Sequence, residues 1–201
     1  MELLLATANP AKFRDLKTVF SVLEGLEIIA LSDFRDVPEV EETGKTFEEN
    51  AILKAKIYTQ HFNMPAVADD GGLEIKALGG EPGIKSRRWP GYTAGDEELI
   101  EYCLEQMSDV PEGKRQAQFR TVVTFATPRG EVASYEASLP GIITKEAHPQ
   151  RDKGYPYRSI FYLPGLKKYA VELTPEENAK LSHRRRALAA LLPEIQNYFR
   201  Q

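Results

Sequence analysis

The feature that most narrows what this chain can fold into is an apolar strand that hands over at once to a capped helix. Leu3-Leu4-Leu5-Ala6 is a continuous apolar run of strand length, and Asn9 and Pro10 then supply an N-cap and a first helical residue. Phe13, Leu16, Phe20 and Leu23 recur at helical spacing, so residues 2–6 read as a buried strand and the segment after it as a helix with one apolar face. The pattern repeats. Residues 26–31 read as a second strand, Thr46 and Glu49 form a capping box, and Phe47, Ala51, Ala55, Tyr58 and Phe62 trace the buried stripe of a second helix, ended by Pro65. Ala66-Val67-Ala68 then reads as a short buried strand running into Asp69-Asp70-Gly71-Gly72, with residues 73–78 as its extension.

The later chain is richer in strands. The Gly- and Pro-rich stretch 79–93 is irregular, residues 96–107 suit a helix, and strands are expected at 119–127, 131–139 and 141–145, with turns at 128–130 and at Pro140. Thr174, Pro175 and Glu177 open a short helix, and Leu188, Leu191, Leu192, Ile195 and Phe199 give a final amphipathic helix, kinked at Pro193. This order of elements predicts a mixed α/β fold, and 201 residues with 42% apolar composition suffice for one domain over 1–201 with a real core. No run approaches the roughly 20 apolar residues of a membrane span, and no secretory leader is recognised, so the expectation is a cytoplasmic protein that does not engage a membrane. The single cysteine, Cys103, sits among helical apolar positions and reads as a buried structural thiol.

A formal net charge of −4 argues against a general nucleic-acid binder, whereas local basic groups at Lys85, Arg87 and Arg88 and at Arg184-Arg185-Arg186 suit a compact phosphorylated ligand. Four clusters carry chemistry. Thr7, Asn9 and Lys12 lie where a strand meets a helix N-terminus, a place that favours phosphate, and a lysine there opposes the helix dipole unless an anion is bound. Glu41-Glu42 and Asp69-Asp70 offer carboxylates for a hard cation and for a general base. Asn50 and Lys54 share one face of the second helix. Ser182-His183-Arg184 offers donors near the aromatics Tyr155, Tyr157, Phe161 and Tyr162. Each cluster alone also fits a bland role: a capped surface helix, a turn, solvated polar positions, strand core.

Taken together and in this order, the segments Leu5-Ala6-Thr7-Ala8-Asn9 with Lys12, Glu41-Glu42-Thr43-Gly44 with Thr46 to Ala51, Ala68 to Leu73, Leu78-Gly79-Gly80 with Pro82-Gly83, and Ser182-His183-Arg184 resemble the inosine triphosphate pyrophosphatase family, the RdgB-like enzymes. The match runs over nearly the whole chain. The resemblance implies an elongated mixed β-sheet flanked by helices, two lobes with an active-site cleft between them, and a homodimer that hydrolyses nucleoside triphosphates such as ITP, dITP or XTP to the monophosphate and pyrophosphate. It further implies that Thr7, Asn9, Lys12 and Lys54 hold the triphosphate, that Glu41 and Asp70 bind Mg²⁺, that Asp70 and Lys54 are the catalytic pair with Asp70 as general base, and that Gly71, Tyr155, Tyr157, Arg158, Asn178, His183 and Arg184 line the substrate.

Departures gather on the base side. Tyr155-Pro156-Tyr157-Arg158-Ser159 stands where the family carries Phe-Gly-Tyr-Asp-Pro, so Arg158, which only donates hydrogen bonds, replaces an acceptor. Asn178 replaces a common lysine, with Lys180 nearby, Gly71 replaces a serine, and Arg185 a frequent glycine. Alternatives are the same reaction on a different nucleotide, a nucleotide-binding protein that has lost catalysis, and a nucleic-acid binder using Arg184 to Arg186.

Overall fold

The structure, a computed structural model, describes residues 1–200. Its strands are β1 (Glu2–Leu5), β2 (Glu27–Ala30), β3 (Ala66–Ile75), β4 (Gln116–Ala126), β5 (Val132–Ile143), β6 (Phe161–Leu163) and β7 (Lys168–Tyr169); its helices are α1 (Pro10–Lys17), α2 (Phe47–Phe62), α3 (Asp96–Gln106), α4 (Pro175–Leu181) and α5 (His183–Arg200). The strands form one seven-stranded sheet in the order β2-β1-β3-β4-β5-β6-β7. It is mixed: β1 runs parallel to both β2 and β3, while β6 is antiparallel to β5 and to β7.

The chain forms two compact units. The first comprises Met1–Gly71, Thr121–Ala137 and the segment from His183 on. Because side chains alternate across a strand, Leu3 and Leu5 of β1 and Val67 of β3 pack on one face with Leu16 of α1 and Leu188 of α5. Leu4, Ala66 and Ala68 pack on the other face with Ala55 and Tyr58 of α2. Helices therefore cover both faces, with α1 of the β1-α1-β2 connection on one and α2 of the β2-α2-β3 connection on the other. In open α/β sheets ligands bind at the carboxyl ends of such parallel strands.

The second unit comprises Gly72–Arg120 and Ser138–Ser182, with Leu73, Leu99, Met107, Ile143 and Phe161 in its core. Cys103 is fully buried there, and burial pushes its thiol up to about 12 against the opposing charge of Arg115, so it stays protonated and inert.

Several elements differ from the sequence expectation. The first helix is α-helical only to Lys17 and tightens into a 3₁₀ segment over Thr18–Val22. Asp69-Asp70-Gly71-Gly72 is no turn; it lies inside the ten-residue β3, which ends at Ile75 before a 3₁₀ turn over Lys76–Leu78. Two expected strands are one, because β5 runs straight through Pro140. Pro140 is exposed and lies outside the β5–β6 register at Ile142 and Ile143, a position where a missing N–H is tolerated. Next to it a Cβ on Gly141 would come within 2.3 Å of the Phe161 ring, so only glycine lets β6 approach there. Pro193 lies within α5; it and Ala189, whose carbonyl it cannot bond, are both exposed, so the missing hydrogen bond falls on the solvent face of the helix.

Candidate active site

Asn9 caps α1, its Oδ1 accepting from Lys12 N–H at 3.3 Å, and Thr7 Oγ1 accepts from Asn9 N–H at 3.2 Å. The two side chains thus brace the connection between β1 and the first turn of α1. Lys12 lies against the dipole, which costs about 0.3–1 kcal/mol. Its Nζ sits 2.9 Å from Asp69 Oδ2, and Arg184 Nε from α5 reaches the same oxygen at 2.9 Å. Asp69 is 3% exposed and Arg184 7%. Burial alone would raise the Asp69 carboxyl, but Lys12, Arg184 and Lys54 outweigh it and hold the group ionised far below the usual carboxylate range. Lys12 is lowered by burial and by the neighbouring cations Arg184 and Lys54, which Asp69 only partly offsets. Two cations, Lys12 and Arg184, thus meet on one buried carboxylate.

Asp70 points the other way, as strand alternation requires, toward α2. Lys54 Nζ lies 3.0 Å from Asp70 Oδ1 and 2.9 Å from Glu42 Oε1, and Asn50 Nδ2 donates to Asp70 Oδ2 at 3.2 Å. Thr121 Oγ1 of β4 donates to the Asp70 carbonyl at 2.9 Å and fixes the strand beneath it. Burial raises the Asp70 carboxyl, Lys54 opposes this and Glu42 adds to it, so the net shift is upward. Lys54 is raised despite burial, because Asp70, Asp69 and Glu42 surround it. Of the acidic pair in the loop before α2, Glu42 is half-buried and faces Lys54, while Glu41 is exposed.

His183 opens α5 beside Arg184; its Nδ1 is buried, and burial together with Arg184 and Arg186 keeps the ring neutral well below its ordinary range. Thr7, Asn9, Lys12, Glu41, Lys54, Asp70, Gly71, His183 and Arg184 all belong to the first unit. Tyr155, Tyr157, Arg158 and Asn178 belong to the second. There Tyr157 is buried and donates its hydroxyl to the Ser86 carbonyl at 2.7 Å. Arg158 donates to the Ala170 carbonyl through Nη2 at 2.6 Å and pairs with Asp152 at 3.3 Å, with its guanidinium 5.9 Å from the Tyr155 ring centre. Asn178 lies half-buried in α4, its carbonyl accepting from Ser182 N–H at 2.8 Å.

Sequence reasoning named no role for Asp69 beyond holding metal or structure, and singled out Asn50 and Glu42 without assigning them a partner. Only the continuity of β3 through Asp69 and Asp70 sends the two carboxylates to opposite faces, whereas Asp-Asp-Gly-Gly taken locally reads as a turn.

Comparison with known proteins agrees with this architecture. The chain is 42% identical over 198 residues to the dITP/XTP pyrophosphatase of Escherichia coli strain K12, covering 98% of both chains. It is 40% identical over 199 residues to the protein of the same name from Mycobacteroides abscessus, covering 98% of this chain and 96% of that one. Among solved structures it superposes on the Staphylococcus aureus Ham1 protein with a TM-score of 0.85 at 35% identity, covering 98% of this chain and all of that one. A Ham1 protein from Coxiella burnetii gives 0.86 at 34% identity, with 98% and 99% of the chains covered. Residues 3–194 match the Ham1 family as a whole, and with relatives of that identity along nearly its full length this chain belongs to the Ham1 family.

Proposed function

We propose that this protein is a Mg²⁺-dependent pyrophosphohydrolase that converts deaminated purine nucleoside triphosphates, ITP, dITP or XTP, to the monophosphate and pyrophosphate. The observation that carries the reading is the pair of adjacent aspartates that divide two tasks across β3: Asp69 gathers Lys12 and Arg184, and Asp70 gathers Lys54 and Asn50. The dITP/XTP pyrophosphatase names of relatives at 40–42% identity support the substrate class.

The start of α1, with Thr7, Asn9 and Lys12, receives the triphosphate, and the Lys12 ammonium, held on Asp69, meets it with positive charge. Asp70, whose carboxyl is raised by burial, accepts the proton of a water attacking the α-phosphorus more readily than an ordinary carboxylate would. Lys12 and Lys54 balance the charge that accumulates on the departing pyrophosphate. The donor set also fits a hard divalent cation. Two carboxylates, Glu42 and Asp70, already converge on one point of positive charge at Lys54 Nζ, and Glu42 rather than the exposed Glu41 is the proposed partner of Asp70. When bound, Mg²⁺ supplies Lewis-acid neutralisation of phosphate oxygens. His183 stays neutral and Arg184 is a fixed donor; an oxo group at purine carbon 6 accepts from such donors where an adenine amino group cannot. A homodimer located in the cytoplasm belongs to the same reading.

The test is pyrophosphate release across standard and deaminated nucleotides, with Mg²⁺ and with EDTA. Inosine and xanthosine nucleotides are expected to be cleaved fastest, only with metal; no release from any nucleotide sinks the reading. A second reading, the same reaction with another base preferred, is favoured by Arg158, whose donors are committed to Ala170 and Asp152. A standard nucleotide winning the same panel would select it.

A further inference from the structure

One turn of α2 ties the acidic loop to Asp70 twice. Lys54 does so through charge, between Glu42 and Asp70 Oδ1. Asn50 does so through a neutral amide: its Oδ1 accepts from Gly44 N–H at 2.8 Å, and its Nδ2 donates to Asp70 Oδ2 at 3.2 Å. The amide has only one orientation that satisfies both neighbours, since a backbone N–H only donates and a carboxylate only accepts. Asn50 is 1% exposed, so water cannot replace either bond cheaply. Gly44 is shaped to this contact as well. A Cβ there would lie 2.5 Å from Asn50 Oδ1 and 2.7 Å from Glu49 Cβ.

We propose that Asn50 is a positioning residue that holds the 41–44 loop and the Asp70 carboxylate in the register needed for a divalent cation, with Gly44 as its required partner. The proposal rests on the metal reading above. The physical reason concerns which bridge persists. A divalent cation held by Glu42 and Asp70 would take the place that the Lys54 ammonium fills, because two positive charges cannot share it. The Asn50 bridge uses the other oxygen of Asp70 and a backbone group of the loop, so it stays in place whether or not a cation is present. Lys54 would then be released to meet phosphate while the spacing of the carboxylates is kept.

The test is binding of inorganic triphosphate by calorimetry, in EDTA and in Mn²⁺, for the wild type, Asn50→Leu and Gly44→Ala. Triphosphate avoids any dependence on the base. The wild type is expected to bind at least tenfold more tightly with Mn²⁺ than with EDTA. Both variants are expected to keep the metal-free affinity within about threefold of the wild type and to lose most of the metal-dependent gain, a split that general loosening of the fold would not produce. Gly44→Ala disturbs the same bridge from the loop side and carries the test if Asn50→Leu does not fold. Variants with the full metal-dependent gain, or with metal-free and metal-dependent binding falling together, overturn the positioning role. A wild type with no metal-dependent gain overturns the metal reading itself, and the inference with it.

Discussion

His183 shows how one buried ring ties stability to pH. Its folded pKa is lowered, first by burial and then by Arg184 and Arg186, from an ordinary value of 6.5. Between 6.5 and the lower folded value, the unfolded chain binds a proton that the folded chain refuses. Stability from this group is therefore fully present above pH 6.5 and is lost as pH falls below it, by at most about 1.4 kcal/mol per pH unit. Replacing the ring with a neutral amide, His183→Gln, removes that linkage. Urea unfolding at pH 7.5 and 5.5 should show the wild type losing more stability than the variant over that interval; equal losses would mean that His183 is protonated in the folded state. The ring's identity was legible in the Ser182-His183-Arg184 segment, but its neutrality was not, because that depends on how α5 lies against the Asp69 cluster.

At the scale of elements, the end of α3 is held by a side chain that the sequence gives no reason to notice. Arg115 follows Glu112-Gly113-Lys114 and reads as one more surface cation, yet it is 3% exposed. It donates to the carbonyls of Met107 and Val110 just past α3, and to those of Ile143 and Thr144 at the end of β5, at 2.6–2.9 Å. The Met107 carbonyl also accepts from Val110 N–H at 3.1 Å, but loss of the guanidinium takes a donor from all four carbonyls at once, and a buried group left unsatisfied costs about 1–3 kcal/mol. Arg115→Met should lower unfolding stability by about 3 kcal/mol or more, and Arg115→Lys should recover only part, since one ammonium cannot reproduce the planar fork. Loss of less than about 0.5 kcal/mol in a urea titration of Arg115→Met would show that water satisfies the carbonyls instead. The same limit explains what was and was not legible. Helix starts at Thr46 and Thr174 were readable because a cap is a local bond, Thr46 Oγ1 accepting from Glu49 N–H and Thr174 Oγ1 from Glu177 N–H. The continuity of β3 through Asp69 to Gly72, and of β5 through Pro140, was not, because local turn chemistry there is overridden by pairing with strands distant in sequence.

Over the whole molecule, the charge balance sets an acidic protein against an anionic ligand. The net charge of −4 repels polyanions at long range, while Lys12 and Lys54 attract phosphate at short range. Salt acts unequally on the two. At physiological ionic strength the screening length is about 8 Å, which weakens the field of the exposed surface and leaves a partly buried cluster largely intact. The run Arg184-Arg185-Arg186 does not form a shared basic stripe, because Arg184 is buried on Asp69 and Arg185 pairs with Asp15. Inorganic triphosphate should consequently bind with an affinity that changes less than about tenfold between 50 and 200 mM salt, and a saturating dose, about 100 times its Kd, should stabilise the fold by about 2.7 kcal/mol. A labelled oligonucleotide should bind weakly throughout. A protein that reads nucleic acid through 6–10 phosphates loses about 10³–10⁵ in affinity over the same range, so a steep salt slope for the oligonucleotide in anisotropy measurements, with little salt effect on a weakly bound triphosphate, would move the phosphate contacts from the Asp69 cluster to the outer surface.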